Sequence, residues 1–332
     1  MKIFLRIFLL IATCILNATS FSQQVEEFSL VREAAVALNP AMVGCRGFVA
    51  GTGVFRKQFT NIDRSPYTAY LSMEGQLEEK NVGIGASFIH DQTGPTGRTG
   101  GTISAAYQFN LGKKRDLLSL ATEHERFNND QTHMLCIGIS VSVFQYRLNG
   151  SELHPETQGD PTLYTNNSFK VFPDASFGIY YQWRNKLYTG ISVPQVVGLN
   201  LDYQGKDGLA KIKRIQHLNF LIGGRIPIIE NKFSIDPVGA LRWVNNAPPQ
   251  ADIGLRFTLL NSFWVGVNYR TVKSVIFEAG FEIKNRYKLC YAYDLQASKF
   301  RQDIGSTHEI LLAIRFSRKT FKEDRWLSGP RF

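Results

Sequence analysis

The residues able to do chemistry are scattered along the chain. His124-Glu125 could open a zinc-protease helix, but the second histidine that such a site needs four residues on is missing. His90-Asp91 stands alone beside a glycine-rich loop, and no serine, histidine and aspartate fall into a recognisable nucleophile setting. Gly51-Thr52-Gly53 and Gly83-Ile84-Gly85 have the glycine content of a phosphate loop, yet each lies in a strand-like run with no helix pattern after it. Close packing, or small residues facing an interior, accounts for both. Cys45, Cys136 and Cys290 follow an N-terminal leader; three cysteines cannot all pair within one molecule, and their spacing suits no metal. The residue pattern thus offers no catalytic set, no cofactor site and no metal site.

Charge, by contrast, is strictly patterned. In the C-terminal third Asp252, Gly254, Arg256 and Thr258 alternate with Ile253, Leu255 and Phe257. Asn268 and Arg270 alternate with Val267 and Tyr269, and Glu278 and Glu282 share one side of a run whose other side is Phe277, Ala279, Phe281 and Ile283. Lys288 and Asp294 oppose Tyr287, Leu289, Tyr291 and Tyr293, and Glu309 and Arg315 oppose Ile310, Leu312, Ile314 and Phe316. One face is apolar or aromatic and the other mixes both signs of charge with small residues, the pattern of a strand between lipid and a polar interior. Arg256, Arg270, Glu278, Glu282, Lys288, Asp294, Glu309 and Arg315 therefore read as lumen-facing charges. They could line a pore, but their mixed signs on neighbouring strands favour pairing across the lumen.

The elements that must position these charges are strands. A soluble sandwich alternates with the same parity, but runs of about 9 to 11 residues are long enough for tilted crossings of a bilayer. Tyrosine and phenylalanine gather near the run ends, where membrane interfaces favour them. Strands are expected near 47–56, 67–77, 82–90, 101–110, 133–146, 174–183, 187–193, 213–224, 232–243, 250–260, 263–270, 274–284, 287–295 and 307–317. The fold class is all-β, a transmembrane antiparallel barrel of about fourteen strands. Short periplasmic turns such as Arg184-Asn185-Lys186 and Asn261-Ser262 alternate with long outer segments at 148–173, 194–212 and 297–306. The connection 111–132 breaks this rhythm, because residues 117–121 look like another strand; a full extra crossing would make the count odd, so they read as a strand extension or local hairpin.

The leader sets the compartment. Lys2 and Arg6 flank an apolar stretch that ends in Asn17-Ala18-Thr19-Ser20, the form of a secretory signal peptide over residues 1–22. No later apolar run of about 18 residues offers a helical span. The net charge of +10 includes the two leader positives. Nucleic acid is not an expected partner of an exported chain; anionic lipid head groups or an acidic partner could meet Lys113-Lys114-Arg115 and Lys211-Ile212-Lys213-Arg214, although solvated turns explain both.

Between leader and first strand lies Asn39-Pro40-Ala41-Met42-Val43-Gly44. Asn39 suits an N-cap and Pro40 the first helical position, with Gly44 as the stop, so one helical turn is expected over residues 40–43. Phe28, Val31, Ala35 and Leu38 predict an amphipathic helix from about Glu26. Residues 23–46 then form a short helical plug segment within or across the periplasmic mouth, residues 47–317 the barrel and residues 318–332 a periplasmic tail.

The motif carried by Asn39, Pro40, Ala41 and Gly44 resembles the NPA-x-x-G signature that opens members of the PorP/SprF family, outer-membrane proteins of the type IX secretion and gliding-motility system in Bacteroidota. Tyr188-Thr189-Gly190-Ile191-Ser192-Val193-Pro194, Tyr291-Ala292-Tyr293-Asp294 and Gly305-Ser306-Thr307-His308-Glu309-Ile310 are similar to further family elements, in the family's order, with Thr307 an insertion in the last. The resemblance implies an outer-membrane barrel similar in architecture to the fatty-acid-transport barrels, without enzymatic activity or cofactor. It also implies a role in export or surface attachment of proteins with C-terminal sorting domains. Its implied partners are the periplasmic lipoprotein ring, the outer-membrane translocon and a secreted client. An outer-membrane channel or hydrophobic-solute transporter is the competing reading.

Overall fold

A strand with one apolar and one charged face is stable only where each face meets a matching medium, and a closed barrel in a bilayer supplies both. The computed structural model describes residues 27–77, 80–111, 133–152, 168–184, 186–197, 201–204, 209–212, 216–229, 232–245, 247–284, 286–297 and 301–316. The expected leader, the tail and the segment 117–121 lie outside the described residues.

The first half of the wall comprises β1 (Val49–Lys57), β2 (Tyr67–Gln76), β3 (Val82–Thr93), β4 (Thr96–Asn110), β5 (His133–Leu148), β6 (Ser168–Trp183) and β7 (Leu187–Val193). A separate hairpin, β8 (Leu201–Gln204) with β9 (Leu209–Ile212), lies in the connection that follows. The wall resumes with β10 (His217–Gly224), which β11 (Ile226–Ile229) continues after Arg225, then β12 (Phe233–Val244) and β13 (Gln250–Leu259). It ends with β14 (Phe263–Arg270), β15 (Ser274–Ile283), β16 (Tyr287–Gln296) and β17 (Thr307–Phe316). Each strand pairs antiparallel with the next, β10 pairs with both β7 and β12, and β17 closes on β1 with Gly53 opposite Leu312. Counting β10 and β11 as one crossing, the barrel has fourteen strands.

The strands fall close to their expected positions, with β3 to β6 running further out than alternation alone indicates. Thr96 pairs with Leu148 and Ser168 with Leu148 from the other side, so the ladder persists where the apolar face has ended. Pro173 sits inside β6, opposite Val143, where β6 has outrun β7 and its second edge is unpaired. Proline is tolerated there because no ladder bond is lost. Pro237 of β12 similarly faces the break between β10 and β11.

Exposure is inverted relative to a soluble protein. Ile103 is 72% exposed, Ile253 66% and Leu71 62%, whereas Arg56, Arg270, Glu278, Asp294 and Glu309 are all buried. This decides between barrel and sandwich, because a sandwich buries its apolar face. Exposed aromatic rings form two belts: Phe109, Trp183, Phe263, Tyr287 and Phe316 at the end where β1 begins, and Phe55, Phe169, Trp243 and Tyr269 at the other. The short connections from β6 to β7, β13 to β14 and β15 to β16 share the first end, the periplasmic one by loop length.

The N-terminal segment departs from its expected form. Among its described residues only Ala35–Leu38 is α-helical; residues 27–30 are irregular and residues 31–34 form a turn, in place of the helix expected from about Glu26. An amphipathic helix needs water on its polar face; here Ser29, Arg32 and Glu33 are as buried as Phe28 and Leu30. Wall groups take over as partners, and the Ser29 and Leu30 amides donate to the Glu309 carboxylate at 2.7 and 3.0 Å. The following turn is a 3-10 helix over Pro40–Met42, one residue shorter than expected, because Val43 is already extended before Gly44 turns at φ +72°.

Ile139→Arg, on the lipid face midway along β5, is expected to destabilise the barrel by about 2–4 kcal/mol. Ser151→Arg, in an outer loop, should stay within about 0.5 kcal/mol of the parent. Urea unfolding in lipid vesicles checks the contrast.

Candidate functional site

The interior of the barrel is the candidate site, and residues 27–46 occupy it. Glu27 lies toward the outer end among Arg242, Gln250 and Arg270. Arg32 and Glu33 lie further in, against β12, β13 and β15, and Gly44 reaches the periplasmic end, where its amide donates to Glu74 at 3.0 Å. The segment therefore traverses the bore lengthwise and is not confined to the mouth.

Two buried charge clusters hold it. In the inner cluster Arg256 donates from Nε to Glu278 at 2.8 Å and from both terminal nitrogens to Glu33 at 2.7 and 3.0 Å. Arg32 completes it, donating to the same Glu278 oxygen at 2.8 Å and to the Asp236 carbonyl at 2.6 Å. In the outer cluster Arg270 meets Asp252 at 2.9 Å and Asp294 at 3.1 Å and donates to the Phe28 carbonyl at 3.2 Å. Arg56 joins Glu309 at 3.0 Å and also donates to the Ser29 hydroxyl. In the inner cluster segment and wall thus share their counter-ions; in the outer one the wall charges pair with each other, and the segment adds Glu27 and its own backbone and hydroxyl groups.

The remaining sequence-selected charges lie lower on the same wall. Glu282 sits directly opposite Lys288 in the β15–β16 ladder, Lys288 lies 5.4 Å from the Trp264 ring centre, and the Arg315 guanidinium stacks 4.8 Å from the Phe48 ring. Sequence reasoning missed the segment's own contribution: the apolar spacing of Phe28, Val31, Ala35 and Leu38 gives no sign that Glu27, Arg32 and Glu33 meet the buried charges of the wall. Arg56, Asp236 and Asp252 were legible as further polar positions in the same alternation.

Glu27 carries the clearest electrostatic signature in the segment. Burial raises its carboxyl, but the guanidiniums of Arg270, Arg242 and Arg56 outweigh this and hold it at about 2, below the ordinary 4.5.

The turn motif is seated by close backbone approach. Asn39 caps it, accepting from the Ala41 amide at 2.9 Å, and its side-chain amide donates to the carbonyls of Ile179 and Ile191 at 3.1 and 3.3 Å. Ser192 Oγ donates to the Leu38 carbonyl at 2.6 Å. A Cβ on Gly178 would fall 2.0 Å from Asn39 Oδ1, one on Gly138 2.4 Å from Ala41 Cα, and one on Gly83 2.0 Å from the Val43 carbonyl oxygen. Wall glycines on β6, β5 and β3 thus form the track on which the motif lies, which explains the small residues of Gly83-Ile84-Gly85 without a nucleotide.

On the other side of the segment the bore is not filled. A cleft of about 90 Å³ lies between the segment and a wall of Ser72, Ser87, Thr102, Ser104, Ser140 and Ser142, with Glu74, Arg98 and Asp174 also lining it. Among the described residues no group of histidine, cysteine and acidic side chains is arranged to hold a metal.

Arg256→Met strands Glu33 and half of the Glu278 charge in the interior, and is expected to destabilise the barrel by about 3–5 kcal/mol. The measurement is chemical unfolding, with trypsin cleavage after Arg32 accelerating in the folded variant. The depressed Glu27 group predicts a pH window. Its stabilisation is complete above 4.5 and is lost as pH falls through about 2. Protection of residues 27–34 from an acid-active protease should accordingly hold down to about pH 5 and decline below it.

Solved structures with a similar barrel include the toluene transporter TbuX of Ralstonia pickettii, 13% identical over 86% of this chain and 94% of that one, with a TM-score of 0.48. The CymD monoaromatic hydrocarbon channel is 13% identical over 88% and 94% of the two chains at a TM-score of 0.47. The toluene transporter TodX of Pseudomonas putida is 11% identical over 90% and 99% at 0.44. These likenesses are distant, and the architecture stands on the strand pairing itself. No curated protein matches the sequence. The family model described as type IX secretion system membrane protein PorP/SprF matches residues 20–314, so the chain belongs to the PorP/SprF family and its barrel resides in the outer membrane.

Proposed function

We propose that the protein is a non-enzymatic barrel component of the type IX secretion and gliding system that assists export or surface attachment of proteins with C-terminal sorting domains. The observation that carries this reading is the bore occupied along its length by residues 27–46, which are held there by buried charges, within a family of type IX secretion membrane proteins. A barrel whose bore is occupied along its length by its own chain offers its rim and loops as a platform. Its partners in this reading are the periplasmic lipoprotein ring, the outer-membrane translocon and one secreted client, with outer-membrane lipid around the wall. Residues 1–22 serve as the export signal and residues 318–332 as a periplasmic tail.

A second reading, an outer-membrane channel or solute transporter, is favoured by the hydroxyl-lined cleft beside the segment. Deletion of the gene separates the two. The scaffold reading expects a client with a C-terminal sorting domain to disappear from the cell surface while uptake of small solutes is unchanged. Lost uptake with normal surface display would overturn it. In planar bilayers the purified protein should give no large, steady conductance.

A further inference from the structure

We propose that Cys45 and Cys136 are a disulfide site that ties the N-terminal segment covalently to the barrel wall. The three cysteines of the folded region do not fall together. Cys290 is buried on β16 in one apolar cluster, with Ile276 and Leu311, whereas Cys45 and Cys136 belong to the other, beside Ala41, Met42 and Tyr180. In that second cluster the two sulfurs lie 3.1 Å apart. Cys45 directly follows the motif glycine, and Cys136 faces inward from the start of β5, two residues before the glycine that receives Ala41. The seating of the motif on its glycine track is therefore what delivers one thiol to the other. A disulfide requires about 2.05 Å between sulfurs, a closure of about one ångström from the observed position. An odd count, which argues against a disulfide framework, resolves into one juxtaposed pair and one cysteine set apart in the core.

The chemistry is thiol–disulfide exchange, with a dithiol oxidoreductase in its disulfide form as the oxidant, a class suited to an oxidising envelope compartment. One protein thiolate attacks that disulfide, forming a mixed disulfide and releasing one oxidoreductase thiolate. The second protein thiolate then attacks the mixed disulfide at the protein sulfur, forming the Cys45–Cys136 bond and releasing the other oxidoreductase thiolate. Two electrons pass from the protein thiols to the oxidoreductase, whose disulfide becomes two thiols, and the two protons lost by the cysteines are taken up by the released thiolates. The exchange belongs to the docking stage, because Cys136 is fully buried in the seated state. Burial first, and the adjoining Cys136 thiol second, also push the Cys45 thiol well above its ordinary range once the segment is in place. The bond would close a loop between residues 91 apart in sequence, from the motif across β1 to β4 into β5, and would oppose withdrawal of the segment from the bore.

The test is a thiol count on the full mature protein taken from cell envelopes. Cells are treated with iodoacetamide before lysis, and the protein is then denatured in fresh iodoacetamide without reductant, digested and mapped by mass spectrometry. The expected result is one alkylated cysteine, Cys290, and a linked peptide pair containing Cys45 and Cys136 that separates on reduction. Three alkylated cysteines would overturn the proposal, as would a linkage that includes Cys290. A Cys45→Ser variant should show two alkylated cysteines, Cys136 and Cys290, with and without reduction. A Cys136–Cys290 link in that variant would mean that proximity in the folded bore does not select the pair.

Discussion

A charge held inside a barrel wall is tolerable only with a counter-charge at contact distance, and here the counter-charges come from another part of the chain. Arg256 on β13 is satisfied by Glu278 on β15 and by Glu33 on the N-terminal segment, while Glu278 in turn satisfies Arg32 of that segment. Further out Arg270 and Arg56 pair with Asp252, Asp294 and Glu309 within the wall, the segment adds Glu27 beside Arg270, and Glu309 accepts from the backbone amides of Ser29 and Leu30. Buried ion pairs are weak evidence for net stability, since desolvation consumes much of their attraction, but removing one partner leaves an expensive orphan. The network therefore specifies where the segment lies more than it adds to the stability of the barrel.

The lipid face and the bore are then two consequences of one alternation. Bilayer hydrocarbon requires every backbone donor and acceptor to be paired within the wall, which closure of β17 on β1 and of β10 on β12 achieves. The same alternation turns apolar side chains outward and charges inward. The two sides of the bore differ: β12 to β17 and β1 bring charges and meet the segment's charged half, whereas β3, β5 and β6 bring glycines that admit the Asn39-Pro40-Ala41 turn. Hydroxyl-bearing positions on β2 to β5 leave the cleft between them.

Much of this was legible in the sequence because period-two patterning is local. The runs holding Asp252, Arg270, Glu278 and Glu309 show their inward face within eight or ten residues, and the strand ends follow. The N-terminal segment was less legible, because its environment is set by strands up to 280 residues away. Read locally, Phe28, Val31, Ala35 and Leu38 make one face of a helix; in the bore the other face is enclosed by the wall, and Glu309 competes for the backbone donors. Asn39 and Pro40 kept their local meaning, since a cap and a first-turn proline need only their neighbours. The extension of β6 through Pro173 was hidden for a similar reason, because proline reads as a strand breaker until one knows that β7 stops short of it. The proximity of Cys45 and Cys136 has no sequence signal at all.

The central claim is that residues 27–46 are a seated part of the barrel interior. Amide hydrogen exchange at Ser29 and Leu30 in the lipid-reconstituted protein tests it most directly, because these donors lie outside any strand and are protected only if Glu309 receives them. The account predicts exchange as slow as at wall amides such as Leu311. Exchange as fast as at the exposed loop residue Ser151 would contradict it.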